Sequence, residues 1–177
     1  YLPNQDALDW LLTEVWPLVR VLEPAAELLL AGRGMERLAA AGLPAGVTSL
    51  GDPPDVPTCF AMADGLLVPL RVGGGTRLKV LEAMAAGLPV VTTARGSEGL
   101  VVRDGEQLLI ADTPQLFSEA AVRLLQDRHL SSRLATSGRR LVEGQYDWQV
   151  LAQQVVSVIE GIGARGVGCP GNVTMEG

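Results

Sequence analysis

Three consecutive glycines, Gly73, Gly74 and Gly75, form the segment of this sequence best suited to bind a charged ligand. A short apolar run precedes them, and Thr76, Arg77 and a stretch of helical periodicity follow. Glycines leave the backbone bare, and the first amides of a helix have no partner within it, so together with the helix dipole they attract anions. The order of strand, glycines and helix therefore predicts a phosphate site.

Two charged side chains follow on the predicted helix. Lys79 and Glu82 are three residues apart and share a helix face. Lys79 could neutralise a diphosphate, while Glu82 could accept hydrogen bonds from ribose hydroxyls. The simpler interpretation is an exposed ion pair between them, with the three glycines as a flexible turn. The segment is not a Walker loop, because no Ser or Thr follows the lysine, and it lacks Gly-x-Gly-x-x-Gly.

Composition and charge exclude several classes of protein. The 14 Lys and Arg against 20 Asp and Glu residues give a net charge of −6, which argues against non-specific binding to nucleic acid. No apolar window approaches the roughly 18 residues of a membrane span. Two cysteines and a single histidine, His129, provide neither a metal site nor a catalytic triad. We expect no metal or other cofactor and a cytoplasmic location, with a peripheral membrane position left open for a full-length protein.

Short apolar runs alternate with longer segments of helical periodicity, which predicts a parallel sheet with helices on both faces. The predicted strands are Glu27–Ala31, Val47–Leu50, Gly65–Val68, Pro89–Thr93 and Gln107–Ala111. The other predicted helices are Gln5–Arg20 with Asn4 as its cap, Thr113–Leu125, Leu130–Glu143 and Trp148–Ile162. Ligands of such sheets bind beyond the carboxyl ends of the strands, where the glycine segment lies.

The two ends of the chain carry their own expectations. A helical pattern follows Tyr1 at once and no methionine precedes it, which indicates a fragment that lacks a first strand. Residues 164–177 have lost all periodicity. We therefore predict one domain over residues 1–163 and an irregular tail over 164–177.

One long motif runs from Gly75 to Thr93, with the letters Gly-Thr-Arg-Leu-Lys-Val-Leu-Glu-Ala-Met-Ala-Ala-Gly-Leu-Pro-Val-Val-Thr-Thr, and Gly96-Ser97-Glu98-Gly99-Leu100 follows it. Pro3-Asn4, Leu50-Gly51-Asp52 and Tyr146-Asp147-Trp148 extend the pattern along most of the chain. In these features the sequence resembles the nucleotide-binding C-terminal half of the group 1 glycosyltransferases. That resemblance implies one half of a GT-B architecture, which consists of two Rossmann-like domains.

The resemblance implies roles for the residues around the glycine segment. The family has two glutamates separated by seven residues, and the second binds the ribose of the donor. Glu82 matches the second, whereas glycine stands at the first position, Gly74. The implied contacts to the donor diphosphate come from Gly73, Gly74, Gly75, Thr76, Arg77 and Lys79.

More distant residues also receive roles from the resemblance. Leu50, Gly51 and Arg33 are implied to border the nucleotide base, and Ser97 and Glu98 to lie near the donor. Ordinary explanations stay open for each of them: a strand-to-loop turn at Leu50 and Gly51, a solvated charge at Arg33, and a charge at the start of a short helix for Ser97 and Glu98.

The implied activity is that of a retaining glycosyltransferase that takes its sugar from a nucleoside diphosphate, UDP or GDP, without a metal ion. Its partners are the nucleotide-sugar donor and an N-terminal acceptor-binding domain that this chain lacks, so we expect the isolated chain to be inactive. The alternatives are a sugar-nucleotide 2-epimerase and a non-catalytic flavodoxin-like binding module. An NAD-dependent oxidoreductase is disfavoured, because its glycine fingerprint is absent.

Overall fold

The structure is a computed structural model that describes residues 2–74 and 77–146. The side chains of Glu36, Arg37 and Ala41 are not part of this description. Gly75 and Thr76 of the predicted phosphate site, the predicted helix Trp148–Ile162 and the predicted tail lie outside the described residues.

Within residues 2–74 and 77–146, helices and strands alternate along most of the chain. The strands are β1 (Leu28–Ala31), β2 (Val47–Gly51), β3 (Leu66–Val68), β4 (Val90–Thr92) and β5 (Leu109–Ile110). The helices are α1 (Leu2–Trp10), α2 (Trp16–Leu22), α3 (Met35–Ala41), α4 (Val56–Ala61), α5 (Leu78–Ala85), α6 (Pro114–Gln126) and α7 (Arg128–Gln145). A π-helical turn, Leu11–Val15, joins α1 to α2 without a break.

All strand pairs are parallel, as predicted. β1 pairs with β2 in a two-stranded sheet, and β3, β4 and β5 form a second ladder with β4 in its centre, so hydrogen bonds do not join the described strands into the single predicted sheet. In the second ladder Leu66 lies opposite Val90, and Val91 lies opposite Leu109. The carboxyl ends of β3, β4 and β5 therefore meet at one edge, from which the glycine segment leaves β3.

Neighbouring strand residues face two separate apolar clusters. Val91 and Leu109 pack into the cluster that contains Trp10 and Phe117, whose rings meet edge to face at 5.4 Å. Val90 in β4 and Leu108 just before β5, each one residue earlier in the chain, pack into the cluster that contains Met84 of α5. Both faces of the sheet are thus covered by helices, which confirms the interpretation of the continuous apolar runs as doubly buried strands.

Two local predictions are wrong. The first helix begins at Leu2, so Asn4 lies inside its first turn and is not its cap. Pro3 permits this start, because a proline in the first turn has no amide that needs a partner. Ser97 and Glu98 do not begin a short helix: they lie in a run of turns over 94–99 that ends at Gly99, whose φ of +84° stops a helix.

The predicted start of α6 is confirmed: the Thr113 side chain accepts a hydrogen bond from the Leu116 amide at 3.3 Å.

Candidate functional site

The glycine segment leaves the carboxyl end of β3 with an open backbone. Gly73 has a φ of +97°, a left-handed conformation that favours glycine. A Cβ atom built on Gly74 would meet no other atom within 4 Å. A ligand can therefore approach the backbone of Gly74 closely, as the sequence predicts for an anion site. α5 starts four residues later, at Leu78.

α5 presents its two charged side chains to solvent. Val80, Ala83 and Met84 are fully buried against the sheet and fix the orientation of the helix. Lys79 and Glu82 are exposed and lie on one face, about one helical turn apart. These two described side chains do not form a salt bridge with each other, so the ion-pair interpretation of their spacing is not supported by the structure.

The end of β4 anchors the start of the glycine segment. The Thr92 hydroxyl donates to the Val68 carbonyl at 3.1 Å, and the Thr93 hydroxyl donates to the Leu70 carbonyl. Thr93 also accepts from the Gly96 amide at 2.9 Å through the same oxygen. These bonds join the end of β3 and the chain that follows it to the end of β4 and its turn, both at the carboxyl edge.

Arg77 and Glu98, both predicted to lie near the donor, contact each other. The Arg77 side chain, which precedes α5, is 6% exposed, and its Nη2 lies 3.4 Å from Glu98 Oε2. Arg95 donates from Nη1 to both oxygens of Glu98, at 2.8 and 2.7 Å. The buried Nε of Arg77 has no hydrogen-bond partner among the described residues. A contact from Arg77 to a diphosphate stays a prediction.

The residues predicted to border the base lie at the carboxyl ends of β1 and β2. The Gly51 carbonyl accepts a hydrogen bond from the Gly32 amide at 2.7 Å, which brings the start of the loop containing Arg33 next to the end of β2. Arg33 is exposed and Leu50 is partly buried. Their contact with a base stays a prediction, as does the place of Ser97, which is buried and donates from its hydroxyl to the Ala94 carbonyl at 3.2 Å.

An unexpected ion pair joins the glycine segment to α1. Arg71 donates to Asp6 from Nη2 at 2.6 Å and from Nε at 3.1 Å, a bidentate arrangement. The guanidinium carbon also lies 5.4 Å from the centre of the Trp10 ring, within cation–π range. The hydrogen bonds that Arg71 donates to Asp6 raise the pKa of Arg71 above its ordinary value, so the arginine stays charged.

A cleft of about 620 Å³ lies beside this ion pair, between α1 and the glycine segment. The residues that line it are Leu2, Pro3, Gln5, Asp6, Asp9, Val72 and Gly73. The cleft therefore has carboxylates on its α1 side and the predicted anion-binding backbone on the other.

Sequence reasoning missed five residues of this edge: Asp6, Arg71, Thr92, Thr93 and Gly96. Arg71 could have been noticed, because it lies only two residues before the first glycine. Its partner could not, because Asp6 is 65 positions away in the chain.

Two further properties of the described part of the chain bear on other functions. No group of three or more His, Cys, Asp or Glu side chains within it is arranged to hold a metal ion. None of its helices is both long enough and apolar enough to cross a membrane.

The sequence matches a known family over most of its length. Residues 1–127 match the model of the family described as glycosyl transferases group 1. Over 147 residues the chain is 35% identical to the phosphatidyl-myo-inositol mannosyltransferase of Mycobacterium leprae (strain TN). This match covers 79% of the chain and 39% of the mannosyltransferase, so the chain spans well under half of that relative.

Solved structures share the fold. The chain superposes on the C-terminal domain of LpcC, a glycosyl transferase group 1 family protein from Francisella tularensis, with a TM-score of 0.62 and 20% identity. That match covers 77% of the chain and 80% of the domain. HepE of Anabaena, solved in complex with UDP and glucose, superposes with a TM-score of 0.67 at 18% identity. That match covers 82% of the present chain and 43% of the HepE chain.

Proposed function

The chain belongs to the group 1 glycosyltransferases and has the fold of a GT-B glycosyltransferase domain. From this premise we propose that it is the donor-binding half of such an enzyme and holds a nucleoside-diphosphate sugar at the carboxyl edge of its sheet. One observation carries the proposal: an open glycine backbone directly precedes a helix whose exposed face carries Lys79 and Glu82.

The diphosphate binds over the glycine segment. The amides of Gly73 and Gly74 provide hydrogen-bond donors, with open space around Gly74, and the sequence resemblance assigns Gly75 and Thr76 to the same diphosphate. The positive end of the α5 dipole and the Lys79 ammonium add charge on the same side. The departing diphosphate gains negative charge during transfer, and these fixed groups stabilise it without a metal ion.

The ribose binds one turn further along α5. Glu82 lies three residues after Lys79, about 4.5 Å along the helix axis, which is comparable to the step from a phosphate to the ribose of a nucleotide. An exposed carboxylate accepts hydrogen bonds from two neighbouring hydroxyls.

The base binds beyond the ribose, at the ends of β1 and β2. Leu50, Gly51 and Arg33 border the base there, and Ser97 and Glu98 lie near the donor.

The complete reaction needs more than this chain provides. Transfer requires that donor and acceptor are held together at reacting distance in a cleft that excludes water. We propose that the chain alone binds its donor without transferring the sugar, and that an N-terminal domain supplies the acceptor site. Retention of configuration and a cytoplasmic location stay predictions from the sequence.

The first experiment identifies the nucleotide by its affinity for the chain. We propose titration calorimetry of the chain with UDP, GDP, ADP and TDP. UDP and GDP are tested first: HepE was solved with UDP, and a relative from Mycobacterium tuberculosis is named as a GDP-mannose-dependent mannosyltransferase. Binding of none of the four would contradict the proposal.

The variant Glu82→Gln tests the ribose contact. We expect it to weaken affinity for the preferred nucleoside diphosphate by about 10- to 100-fold, because hydrogen bonds to a charged group contribute roughly 1.5–3 kcal/mol. Affinity for inorganic pyrophosphate, which has no ribose, stays within about twofold. Glu119→Gln, an exposed glutamate on α6, serves as the matched control. An equal loss for both ligands would show that Glu82 acts on the diphosphate or on the fold instead.

A further inference from the structure

The ion pair between Asp6 and Arg71 differs from the other exposed ion pairs of the described chain in what it connects. Arg139 and Glu143 pair within α7, and Arg103 and Glu106 pair within one loop. The Asp6–Arg71 pair instead joins α1 to the segment that leaves β3. It is also bidentate and lies against the Trp10 ring, so the guanidinium is held in position and direction.

Among the described residues, this ion pair is the last side-chain contact that holds the chain before the glycines. The Thr93 hydroxyl fixes the chain at the Leu70 carbonyl, and Arg71 fixes it at the next residue. Gly73, two residues later, is already in its left-handed conformation, and Gly74 has open space around it. The path of the backbone into the glycine segment is therefore set between Leu70 and Arg71.

The pair also controls charge in the cleft. Asp6 lines the same cleft as Val72 and Gly73, where its carboxylate would repel a diphosphate bound at the glycines. Arg71 neutralises this carboxylate through two short bonds. Removal of Arg71 would both release the backbone and leave an unpaired negative charge facing the ligand.

We infer that Arg71 and Asp6 are a positioning pair for the donor diphosphate: the ion pair fixes the entry to the glycine segment and neutralises the Asp6 carboxylate, which lines the same cleft as Gly73. This inference rests on the proposed function, because it takes a diphosphate as the ligand of the glycine segment. Neither residue needs to touch the ligand for this role.

The binding experiment compares two ligands that differ by one phosphate. Arg71→Gln is titrated with the nucleoside diphosphate that the wild-type chain prefers and with the corresponding monophosphate. We expect affinity for the diphosphate to fall about tenfold and affinity for the monophosphate to change by less than about twofold. Arg139→Gln, which breaks the exposed pair on α7, changes neither. An equal fall for both ligands, or no fall for the diphosphate, would overturn the inference.

Two further variants separate charge from geometry. Arg71→Lys retains the positive charge but not the bidentate contact, and we expect a loss smaller than that of Arg71→Gln. The double variant Asp6→Asn with Arg71→Gln removes the unpaired carboxylate, so part of the lost diphosphate affinity returns. A double variant that binds as weakly as Arg71→Gln would eliminate the charge component of the inference.

A measurement without ligand tests the anchoring part of the inference separately from the proposed function. Amide hydrogen exchange over residues 70–74 is compared between the wild-type chain and Arg71→Gln. We expect exchange to accelerate severalfold in the variant, with α7 unchanged. If exchange accelerates but no nucleoside diphosphate binds the wild-type chain, the proposed function fails while the anchoring role stands. Unchanged exchange would show that the pair does not hold the segment.

Discussion

Two arginines flank the glycine segment, and their environments are opposite. Arg71, on the side of α1, is 40% exposed and makes a short bidentate ion pair with Asp6. Arg77, on the side of β4, is 6% exposed, and its contact with Glu98 is long at 3.4 Å. Arg71 thus makes a directed, charged contact on one side of the segment, whereas Arg77 is mainly packed into the protein on the other. We expect stability to depend on the β4 side and ligand affinity to depend on the α1 side.

The buried end of β4 explains this division. Thr92 and Thr93 are almost fully buried there, and their hydroxyls bond to the last residue of β3 and to the chain that follows it. Buried polar groups are costly to leave without partners, so this side tolerates little change. The Asp6–Arg71 pair remains in contact with water, where exposed ion pairs contribute about 0.2–1 kcal/mol to stability.

The largest expected effect on stability is that of Gly96→Ala. A Cβ atom at Gly96 would overlap the Thr92 hydroxyl and would lie 3.1 Å from the Val68 carbonyl, which is part of β3 and cannot move freely. Overpacking of a buried site costs about 1–3 kcal/mol, and here the hydrogen bond from Thr92 is disturbed as well. We expect a loss of about 2–3 kcal/mol in the free energy of unfolding, measured with denaturant.

Gly144→Ala is the matched control for this variant. Gly144 lies in α7, and a Cβ atom there would meet nothing within 4 Å. Alanine is the better helix former, so this change is expected to raise stability by up to about 1 kcal/mol. If Gly96→Ala left the unfolding free energy within about 0.5 kcal/mol of wild type, the β4 side would not be tightly packed and the comparison would break.

The second effect in size is the truncation of Arg77. Arg77→Ala removes a buried side chain next to α5, and we expect a loss of about 1–3 kcal/mol in unfolding free energy. Glu98 does not become an isolated charge, because it is 55% exposed and retains Arg95. The cost therefore comes mainly from lost packing. Arg77→Met, which keeps an apolar stem and removes the Nε that has no partner among the described residues, should recover about half of this loss.

The exposed Arg139 gives the reference for this comparison. Its pair with Glu143 follows the i, i+4 spacing within α7, where such pairs contribute about 0.2–0.5 kcal/mol. Denaturant unfolding of Arg139→Ala should fall in that range. A similar small value for Arg77→Ala would mean that its burial does not stabilise the fold.

Much of the fold could be predicted from the sequence because burial on both sheet faces leaves a simple pattern. Val90 and Val91 are adjacent in the chain and enter different apolar clusters, so both must be apolar. The cap and proline of Thr113-Pro114 likewise mark the start of α6 through local chemistry alone. The prediction of Asn4 as a helix cap failed because Pro3 fits inside the first turn of a helix as well as before it.

The candidate site was less accessible to sequence reasoning. The glycines, Lys79 and Glu82 could be recognised, because strand, loop and helix follow one another directly in the chain. The partners of Arg71 and Arg77 could not, because the contacts to Asp6 and Glu98 depend on how α1 and the turn after β4 pack against the sheet. A charge pattern in a single sequence does not contain such long-range pairs.

On the two sides of the glycine segment, the smallest expected effect on stability is the coupling between Asp6 and Arg71; only the Arg139 reference on α7 is smaller. A double-mutant cycle with Asp6→Asn and Arg71→Gln, followed by denaturant unfolding, should give a coupling free energy of about 0.5–1 kcal/mol. This is near the upper end for exposed pairs, because the contact is bidentate and Trp10 orders the guanidinium. Since the two charges are in contact with water, the coupling should shrink when the ionic strength is raised from about 0.05 M to 1 M, where the screening length falls to about 3 Å. A coupling above about 2 kcal/mol that salt does not reduce would mean that this pair stabilises the fold as the buried side does. The two sides of the glycine segment would then differ in exposure to water but would both stabilise the fold.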